Sequence, residues 1–130
     1  MAKILLVEDN EDAREMLQML LTLSGHEVYG AYDGPSGIEM AQTIDPDIVV
    51  IDLGLPGVDG YEVARQLRAS RRKDVGLIAL SGYGQAEDRR KALEAGFDTH
   101  IVKPADPSHL STVIASLQRG KPSPSRRTLP

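Results

Sequence analysis

The sequence predicts an α/β fold in which helices cover both faces of one doubly wound, five-stranded parallel sheet. Short strand-like segments alternate with helix-like segments five times along the chain, and this order is typical of βαβ units with right-handed crossovers. The segment IVVI at 48–51 is apolar at every position. Such a run is expected of a parallel strand that is buried on both faces of its sheet.

Five segments have the length and composition of strands. The predicted strands are 3–7, 26–31, 47–51, 76–80 and 99–102. Each is followed by a segment that reads as a helix, and the connections are short. The carboxyl ends of all five strands are therefore expected at one edge of the sheet.

Apolar stripes and boundary residues indicate the helices. The first and fifth helices have the clearest stripes, formed by Ala13, Leu17, Leu20 and Leu21 and by Leu110, Val113, Ile114 and Leu117. Starts are indicated by Asn10, by Gly34-Pro35, by Asp59 with Glu62 in a capping-box arrangement, and by Asp106-Pro107. Ends are indicated by Gly25, Gly96 and Gly120.

The fourth helix, predicted at 85–95, has the weakest apolar stripe. Ala86, Leu93 and Ala92 are its expected inward residues, and basic residues such as Arg89 interrupt them. We expect this helix to bury little area and to be held loosely.

Composition limits the class of protein. The 130 residues are 41% hydrophobic and 26% charged, which suits one domain with a single core. We predict that domain over 1–118 and a basic, Pro- and Ser-rich tail over 119–130 that is disordered or a linker. The chain has no cysteine, no apolar run of about 20 residues and no signal-peptide pattern, so we expect a cytoplasmic protein without membrane contact.

Charge is distributed unevenly along the chain. Residues 1–118 contain all 19 acidic residues and 11 basic ones, a net charge of −8. An acidic domain repels the phosphates of nucleic acids. The sequence therefore predicts no direct binding of nucleic acid by this domain.

Charged and hydroxyl side chains stand directly after four of the five predicted strands. They are Glu8 and Asp9, then Asp52, Ser81 and Lys103. Doubly wound folds bind their ligands at the edge where these strands end. We therefore expect the five side chains to form one site.

The residue types in this set point to phosphoryl chemistry. Three carboxylates at one edge repel one another unless a cation lies among them, and oxygen ligands with no His or Cys nearby favour Mg²⁺. Asp52 is placed to attack a phosphoryl donor in line. Lys103 and Ser81 can bind the phosphoryl oxygens. Each residue alone has an ordinary structural explanation, so the prediction depends on the whole set.

Four segments resemble those of the response regulator receiver domain, the phosphoacceptor domain of bacterial two-component signalling. They are ILLVEDNED, IVVIDLGLPGVDGYE, LIALSGYG and GFDTHIVKP. The resemblance spans 3–118 and implies a (βα)5 flavodoxin-like fold. It also implies that a histidine kinase or histidine phosphotransfer protein gives its phosphoryl group to Asp52, and that the domain turns over no external substrate.

The same resemblance implies a role for each site residue. Mg²⁺ is expected on Glu8, Asp9, Asp52 and the carbonyl oxygen of Gly54. The phosphoryl oxygens are expected on Ser81 and Lys103. The peptide bond between Lys103 and Pro104 is expected to be cis, which X-Pro bonds allow.

Ser81 and His100 are the expected switch residues. On phosphorylation, Ser81 is expected to move inward and the fourth helix to reposition together with His100, changing the face of helix four, strand five and helix five. The family usually has Phe or Tyr where this chain has His100, whose ring is smaller and titratable. Tyr83 is expected to hinder an attacking water and to slow dephosphorylation.

Other functions are alternatives at this stage. A haloacid-dehalogenase-type phosphatase requires a second acid two residues after its aspartate, where this chain has Gly54. A serine hydrolase requires glycine at position 79, which is Ala79, and a dinucleotide site requires a glycine-rich first loop, which reads VEDN. A receiver-like module that binds partners without phosphate is a further alternative. A single-domain regulator and a receiver from a hybrid histidine kinase are equally compatible with the sequence.

Overall fold

The computed structural model describes residues 2–55, 57, 59–70, 75–82 and 86–120, with the backbone alone at 86, 87, 119 and 120. Some expectations fall outside these residues. They concern the role of Tyr83, the start of the fourth helix at residue 85, the side chain of Ala86 and the tail beyond residue 120.

Five parallel strands form one sheet in the order β2-β1-β3-β4-β5, so the predicted fold class is confirmed. The strands are β1 (Lys3–Val7), β2 (Glu27–Ala31), β3 (Ile48–Asp52), β4 (Gly76–Ser81) and β5 (Thr99–Val102). The main differences from the prediction are single residues. β2 begins one residue later, β3 is shifted by one residue, and β4 is one residue longer. The last two changes place Asp52 and Ser81 inside their strands.

Five helices connect and flank the strands. They are α1 (Glu11–Leu23), α2 (Gly34–Ile44), α3 (Gly60–Ala69), α4 (Ala86–Ala95) and α5 (Pro107–Gly120). The last helix therefore includes the first two residues of the predicted tail. None of the helices in the described part of the chain has both the length and the apolar composition that a membrane span requires.

Side-chain caps fix the starts of α1 and α3 as the sequence predicts. The Ala13 amide donates to Asn10 Oδ1 at 2.9 Å, and the Glu62 amide donates to Asp59 Oδ1 at 2.9 Å. The Glu62 carboxylate accepts from Arg65, one turn along α3. The half of the capping box in which Asp59 accepts from the Glu62 amide is therefore formed, and the Glu62 side chain pairs within α3.

The sheet separates two apolar layers, and β3 contributes to both. Val49 and Ile51 belong to the layer that α2, α3 and α4 cover, whereas Ile48 and Val50 belong to the layer that α1 and α5 cover. All five residues of β3 are buried. This confirms the expectation of a strand that is buried on both faces and explains why its composition is uniformly apolar up to Asp52.

The apolar face of α4 differs from the prediction. Leu93, an expected inward residue, is 60% exposed, whereas Ala92 and Ala95 are buried. Positions 92 and 95 share one face of a helix, and position 93 lies about 100° away from 92. Because alanine buries little area, α4 gains less from packing than a helix with a leucine face.

A partly buried arginine holds the C-terminal end of α4. Arg68 of α3 donates from Nε to the Gly96 carbonyl oxygen at 2.8 Å and pairs with Asp98 at 2.9 Å. Asp98 also accepts from the Leu77 amide of β4 at 2.8 Å. These contacts join α3, the end of α4 and the start of β4. They lie at the amino-terminal ends of the strands, opposite the predicted site.

Candidate functional site

The predicted site residues include every buried polar or charged residue in the described part of the chain. These are Glu8, Asp52 and Ser81, which are 1%, 5% and 6% exposed. Burying a carboxylate is costly unless it is paired and hydrogen-bonded. The fold therefore needs local partners for each of these groups.

Asp52 ends β3, the central strand, and its neighbours leave no space around its backbone. The β carbon of an alanine at Gly60 would lie 2.8 Å from the Asp52 carbonyl oxygen and 2.9 Å from the Leu53 α carbon. Only glycine allows the first turn of α3 to come this close to the strand. The Gly54 amide donates to Asp52 Oδ1 at 2.9 Å, so the loop after β3 also orients the carboxylate.

Glu8 follows β1 and is held by backbone and side-chain contacts. Its own amide donates to the Ala31 carbonyl oxygen at 3.0 Å, which continues the β1–β2 pairing. The Asn10 amide donates to Glu8 Oε2 at 3.2 Å, and Arg14 Nη1 donates to the Glu8 carbonyl oxygen at 2.8 Å. These contacts therefore fix the conformation of the residues between β1 and α1.

Lys103 brings a positive charge to both buried carboxylates. Its Nζ donates to Asp52 Oδ2 at 2.9 Å and to Glu8 Oε1 at 3.1 Å. Its amide donates to the Ser81 carbonyl oxygen at 2.7 Å, and its bond to Pro104 is cis, as the resemblance implies. The ammonium therefore compensates the negative charge of two of the three carboxylates, Glu8 and Asp52.

These contacts separate the pKa values of the two carboxyl groups. Burial and the hydrogen bond with Asp52 raise the pKa of Glu8, and the Asn10 amide and Lys103 offset only part of that increase. Burial also acts against the charge of Asp52, but hydrogen bonds from Glu8, Lys103 and the Gly54 amide outweigh it and lower the pKa of Asp52. Asp52 therefore stays ionised when Glu8 takes up a proton, as a nucleophile requires.

Glu8, Asp9 and Asp52 form a group of carboxylates suited to a divalent cation. One oxygen from each lies within 4.8 Å of the other two, and Asp9 is exposed. Hard oxygen donors are the ligands that Mg²⁺ prefers. The residues present therefore fit this ion.

Ser81, the last residue of β4, is in direct contact with His100, the second residue of β5. Ser81 Oγ lies 2.7 Å from His100 Nε2, and a hydrogen bond joins them. His100 Nδ1 is buried and has no hydrogen-bond partner among the described residues. Burial and the charge of Arg89 lower the pKa of His100, and Asp88 opposes this shift.

An apolar groove leads from α1 to the charged centre. Met16, Leu17 and Leu20 of α1 line one side, and the residues after β5 that include Pro104 line the other. The groove has a volume of about 490 Å³, and Lys103 and Glu8 are among the residues that line it. A partner lying in this groove would therefore be close to the reactive carboxylate.

The structure brings together the residues that the sequence predicted, and it adds contacts that the sequence did not predict. Glu8, Asp9, Asp52, Gly54 and Lys103 form one group, and Ser81 lies at the same edge, one residue after the strand partner of Asp52. The sequence analysis missed Arg14, which lies one helical turn after the cap. It also missed the bond between Ser81 and His100, because nothing in the sequence sets the rotamers of two side chains on neighbouring strands.

The chain matches one family model, described as the response regulator receiver domain, over residues 4–115. Among curated proteins, it is 37% identical over 126 residues to the probable transcriptional regulator ycf27 of Cyanophora paradoxa, which is 97% of this chain and 52% of that protein. It is also 37% identical over 122 residues to the transcriptional regulatory protein AfsQ1 of Streptomyces coelicolor, which is 93% of this chain and 53% of that protein. The chain spans about half the length of these relatives.

Solved structures give the same result. A putative response regulator from Chloroflexus aurantiacus superposes with a TM-score of 0.86 at 27% identity, covering 91% of this chain and 98% of that one. The receiver domain of the sensor histidine kinase PA1611 from Pseudomonas aeruginosa, which has a magnesium ion in its active-site cleft, superposes with a TM-score of 0.82 at 30% identity, covering 89% and 96%. The neighbours therefore include a receiver from a histidine kinase as well as a response regulator.

Proposed function

Because the chain belongs to the response regulator receiver domain family, we propose that Asp52 accepts a phosphoryl group from a partner's phosphohistidine and that Lys103 and Ser81 bind the transferred group. The domain is a signalling domain, the phosphoacceptor of a two-component system. The observation that carries the residue assignment is the position of Lys103 Nζ, 2.9 Å from Asp52 Oδ2.

The transfer needs an ionised aspartate that is already oriented. Gly54 and Lys103 hold the two oxygens of Asp52, and the lowered pKa keeps the group charged. A carboxylate oxygen forms the new O–P bond, the P–N bond to the donor imidazole breaks, and its electron pair goes to the imidazole nitrogen. The protein contributes orientation and charge compensation.

Lys103 acts on the product as well as on the resting site. In the structure its ammonium balances Glu8 and Asp52. When Asp52 carries the phosphoryl group, the same ammonium can donate to a phosphoryl oxygen, and Ser81 can donate from its hydroxyl. These two donors thus stabilise the negative charge of the phosphoryl group. Without them, that charge would be costly at the buried ends of the strands.

Glu8, Asp9, Asp52 and the carbonyl oxygen of Gly54 are the proposed ligands of Mg²⁺. The support is the distance of at most 4.8 Å among the three carboxylates and the preference of this ion for hard oxygen donors. When bound, the ion supplies positive charge that offsets the carboxylates and the incoming phosphoryl oxygens.

The groove beside α1 is the proposed site of the phosphohistidine donor, a histidine kinase or a histidine phosphotransfer protein. An imidazole must come within bonding distance of Asp52, and Lys103 and Glu8 are among the residues that line the groove. Met16, 59% exposed, adds apolar surface along its rim. A helical donor that presents apolar residues around its histidine fits this surface.

Signal output is proposed to use Ser81, His100 and the face of α4, β5 and α5. The hydrogen bond between Ser81 and His100 supports this proposal, since a hydroxyl drawn toward the phosphoryl group also acts on the ring. The small buried face of α4 favours movement of that helix.

The alternative functions are not favoured. The position two residues after Asp52 is Gly54, whose amide binds the aspartate, so the second acid of a haloacid-dehalogenase-type phosphatase is missing. We infer that the domain turns over no external phosphate ester. Release of nitrophenol from nitrophenyl phosphate in many equivalents per protein would contradict this inference.

The organisation of the whole protein is also a proposal. We assign 1–118 to the receiver and 119–130 to a tail or linker, in a cytoplasmic protein without membrane contact. The absence of direct nucleic-acid binding is proposed for this domain only, because it carries a net charge of −8 while its curated relatives are transcriptional regulators about twice as long. A single-domain regulator and a receiver within a hybrid kinase are both compatible with these findings.

Intact mass after incubation with phosphoramidate tests the function. Wild-type protein should gain one phosphoryl group in Mg²⁺ and far less in a chelator, and Asp52→Asn should gain none. Asp12→Asn, an exposed acid in the first turn of α1, is the matched control and should be labelled like wild type. Equal labelling of Asp52→Asn and wild type would overturn the proposal.

A further inference from the structure

Arg14 of α1 contacts the main chain between the two acidic residues that follow β1. Its Nη1 donates to the Glu8 carbonyl oxygen at 2.8 Å. We propose that this bond positions Glu8 and Asp9 for Mg²⁺, so that Arg14 is a positioning residue of the metal site although its own charge opposes a cation. The inference rests on the proposed function and deepens the description of its metal site.

Arg14 supplies a donor where the pairing of β1 with β2 ends. The last pair in that register is Val7 with Ala31, and the Glu8 amide donates to the Ala31 carbonyl oxygen at 3.0 Å. The chain then turns into α2, where Asp33 accepts from the Ser36 amide as the helix cap. Glu8 is buried, and buried main-chain carbonyl groups need a donor. Among the described residues, Arg14 is that donor.

The bond acts on both acidic residues because the Glu8 carbonyl belongs to the peptide group that joins them. A peptide group is planar, so holding its oxygen also fixes the direction of the Asp9 amide. Asp9 is exposed, so the direction of its carboxylate depends on its main chain more than on packing around it. The bonds to Arg14 and Ala31 hold the main chain of Glu8 on both sides.

The side chain of Arg14 lies against Gly30 of β2. A β carbon at Gly30 would be 3.2 Å from Arg14 Cδ and 3.4 Å from its Cγ. Gln18, one turn further along α1, shares this space, with its Oε1 2.9 Å from the same β carbon. Gln18 donates to the Val28 carbonyl oxygen at 3.4 Å. Both side chains therefore pack on Gly30 and bond to the main chain, and of the two it is Arg14 that reaches an acidic residue of the site.

The charge of Arg14 and its hydrogen bond act on Mg²⁺ binding in opposite directions. A guanidinium beside a metal ligand repels a second cation, so charge alone would weaken binding. Groups that orient metal ligands strengthen binding, commonly by about 10- to 100-fold. Removing Arg14 should therefore raise the Mg²⁺ affinity if its charge dominates and lower the affinity if it positions the ligands.

The Mg²⁺ affinity of Arg14→Met tests the inference. Methionine keeps an unbranched side chain over Gly30 and removes the donor and the charge. Titration with Mg²⁺, followed by the amide signals of Asp9 and Gly54 in ¹H–¹⁵N spectra, should give a dissociation constant about ten-fold higher than that of wild type. Gln18→Met is the matched control and should bind like wild type. An unchanged or lower dissociation constant for Arg14→Met, or equal weakening in both variants, would overturn the inference.

Labelling by phosphoramidate separates positioning of the metal ligands from general damage to the fold. In Arg14→Met, the Mg²⁺ concentration for half-maximal labelling should rise about ten-fold, whereas the rate at saturating Mg²⁺ should stay within about two-fold of wild type. A rate that stays low at saturating Mg²⁺ would overturn the inference. A wild-type protein that binds Mg²⁺ but takes no label at Asp52 would instead overturn the proposed function, and the dissociation constants would still decide the role of Arg14.

Discussion

The Nζ atom of Lys103 lies 2.9 Å from Oδ2 of Asp52, although β3 and β5 are not neighbours in the sheet. β4 lies between them, so the lysine side chain reaches across the carboxyl end of β4. The same ammonium lies 3.1 Å from Glu8 Oε1, after β1. One cation therefore balances two buried carboxylates that come from two other strands.

Removing this cation should destabilise the protein and impair phosphorylation. In Lys103→Met, both carboxylates lose their charged partner while the length of the side chain is kept. We expect the free energy of unfolding without Mg²⁺ to fall by about 1 to 2 kcal/mol, since the ammonium is one-third exposed and its loss leaves buried acceptors unpaired. Urea unfolding in a chelator measures this change.

Labelling of the same variant by phosphoramidate should slow by at least roughly ten-fold, because a donor to the phosphoryl oxygens is lost. Lys91→Met, at an exposed position on α4, is the control and should change neither quantity appreciably. Equal stability and equal labelling of the two variants would show that Lys103 does not compensate the charges of Glu8 and Asp52.

The close approach of α3 to β3 predicts a difference between two glycines. Gly60→Ala would bring a β carbon to 2.8 Å from the Asp52 carbonyl oxygen, whereas none of the described residues has an atom within 4 Å of a β carbon at Gly82. We expect Gly60→Ala to lower the free energy of unfolding by about 1 to 3 kcal/mol, as overpacking usually does, and Gly82→Ala to have little effect. Thermal or urea unfolding distinguishes them, and comparable losses at both positions would contradict the packing described for Asp52.

The contacts that hold the C-terminal end of α4 predict that two arginines of α3 contribute differently to stability. Arg68 donates to Gly96 and pairs with Asp98 while partly buried, whereas Arg65 pairs with Glu62 at the surface. Arg68→Ala should lower the free energy of unfolding by about 2 kcal/mol, because it removes the donor to the Gly96 carbonyl oxygen and the cation that pairs with Asp98. Arg65→Ala should cost less than about 0.5 kcal/mol, as is usual for an exposed pair.

Hydrogen exchange locates the effect of the Arg68 change. Amides in the last turn of α4 and at the start of β5 should exchange faster in Arg68→Ala, while those of α1 should be unchanged. Uniform acceleration throughout the chain, or none near Gly96, would mean that Arg68 does not hold the end of this helix.

The lowered pKa of His100 predicts a pH effect on stability. The pKa of His100 in the folded state lies below the usual 6.5. As the pH falls through 6.5, the unfolded chain therefore binds more protons at this residue than the folded chain does. The folded state loses stability as a result. From about pH 7.5 to about pH 5.5, His100→Gln should therefore lose less free energy of unfolding than wild type. Urea unfolding at both pH values measures the difference, and identical losses would contradict the prediction.

The sequence was sufficient for the fold because its signals were repeated and independent. Apolar strands, amphipathic helices and caps such as Asn10 and Asp59 all indicated the same order of elements. The site was predictable for a related reason. Parallel topology brings strand ends together, so Asp52 and Lys103 could be placed at one edge without knowing any distance.

The remaining features depend on packing that a linear pattern does not encode. Leu93 is expected to face inward from its place in an apolar stripe, but it is 60% exposed, whereas Ala92 and Ala95 are buried. Arg68 and Asp98 are thirty positions apart, and no sequence signal pairs them. The contact between Ser81 and His100 similarly requires the register of β4 and β5, which pairs Ala79 with His100.

Chemical localisation of the phosphoryl group tests the central claim most directly. After phosphorylation in Mg²⁺, borohydride reduction converts an aspartyl phosphate to homoserine, and peptide mass spectrometry identifies the residue that has changed. We predict homoserine at position 52 and at no other position, with none formed in Asp52→Asn. Homoserine at Asp9 or another acid, or a stable phosphoryl group on serine or histidine, would contradict it.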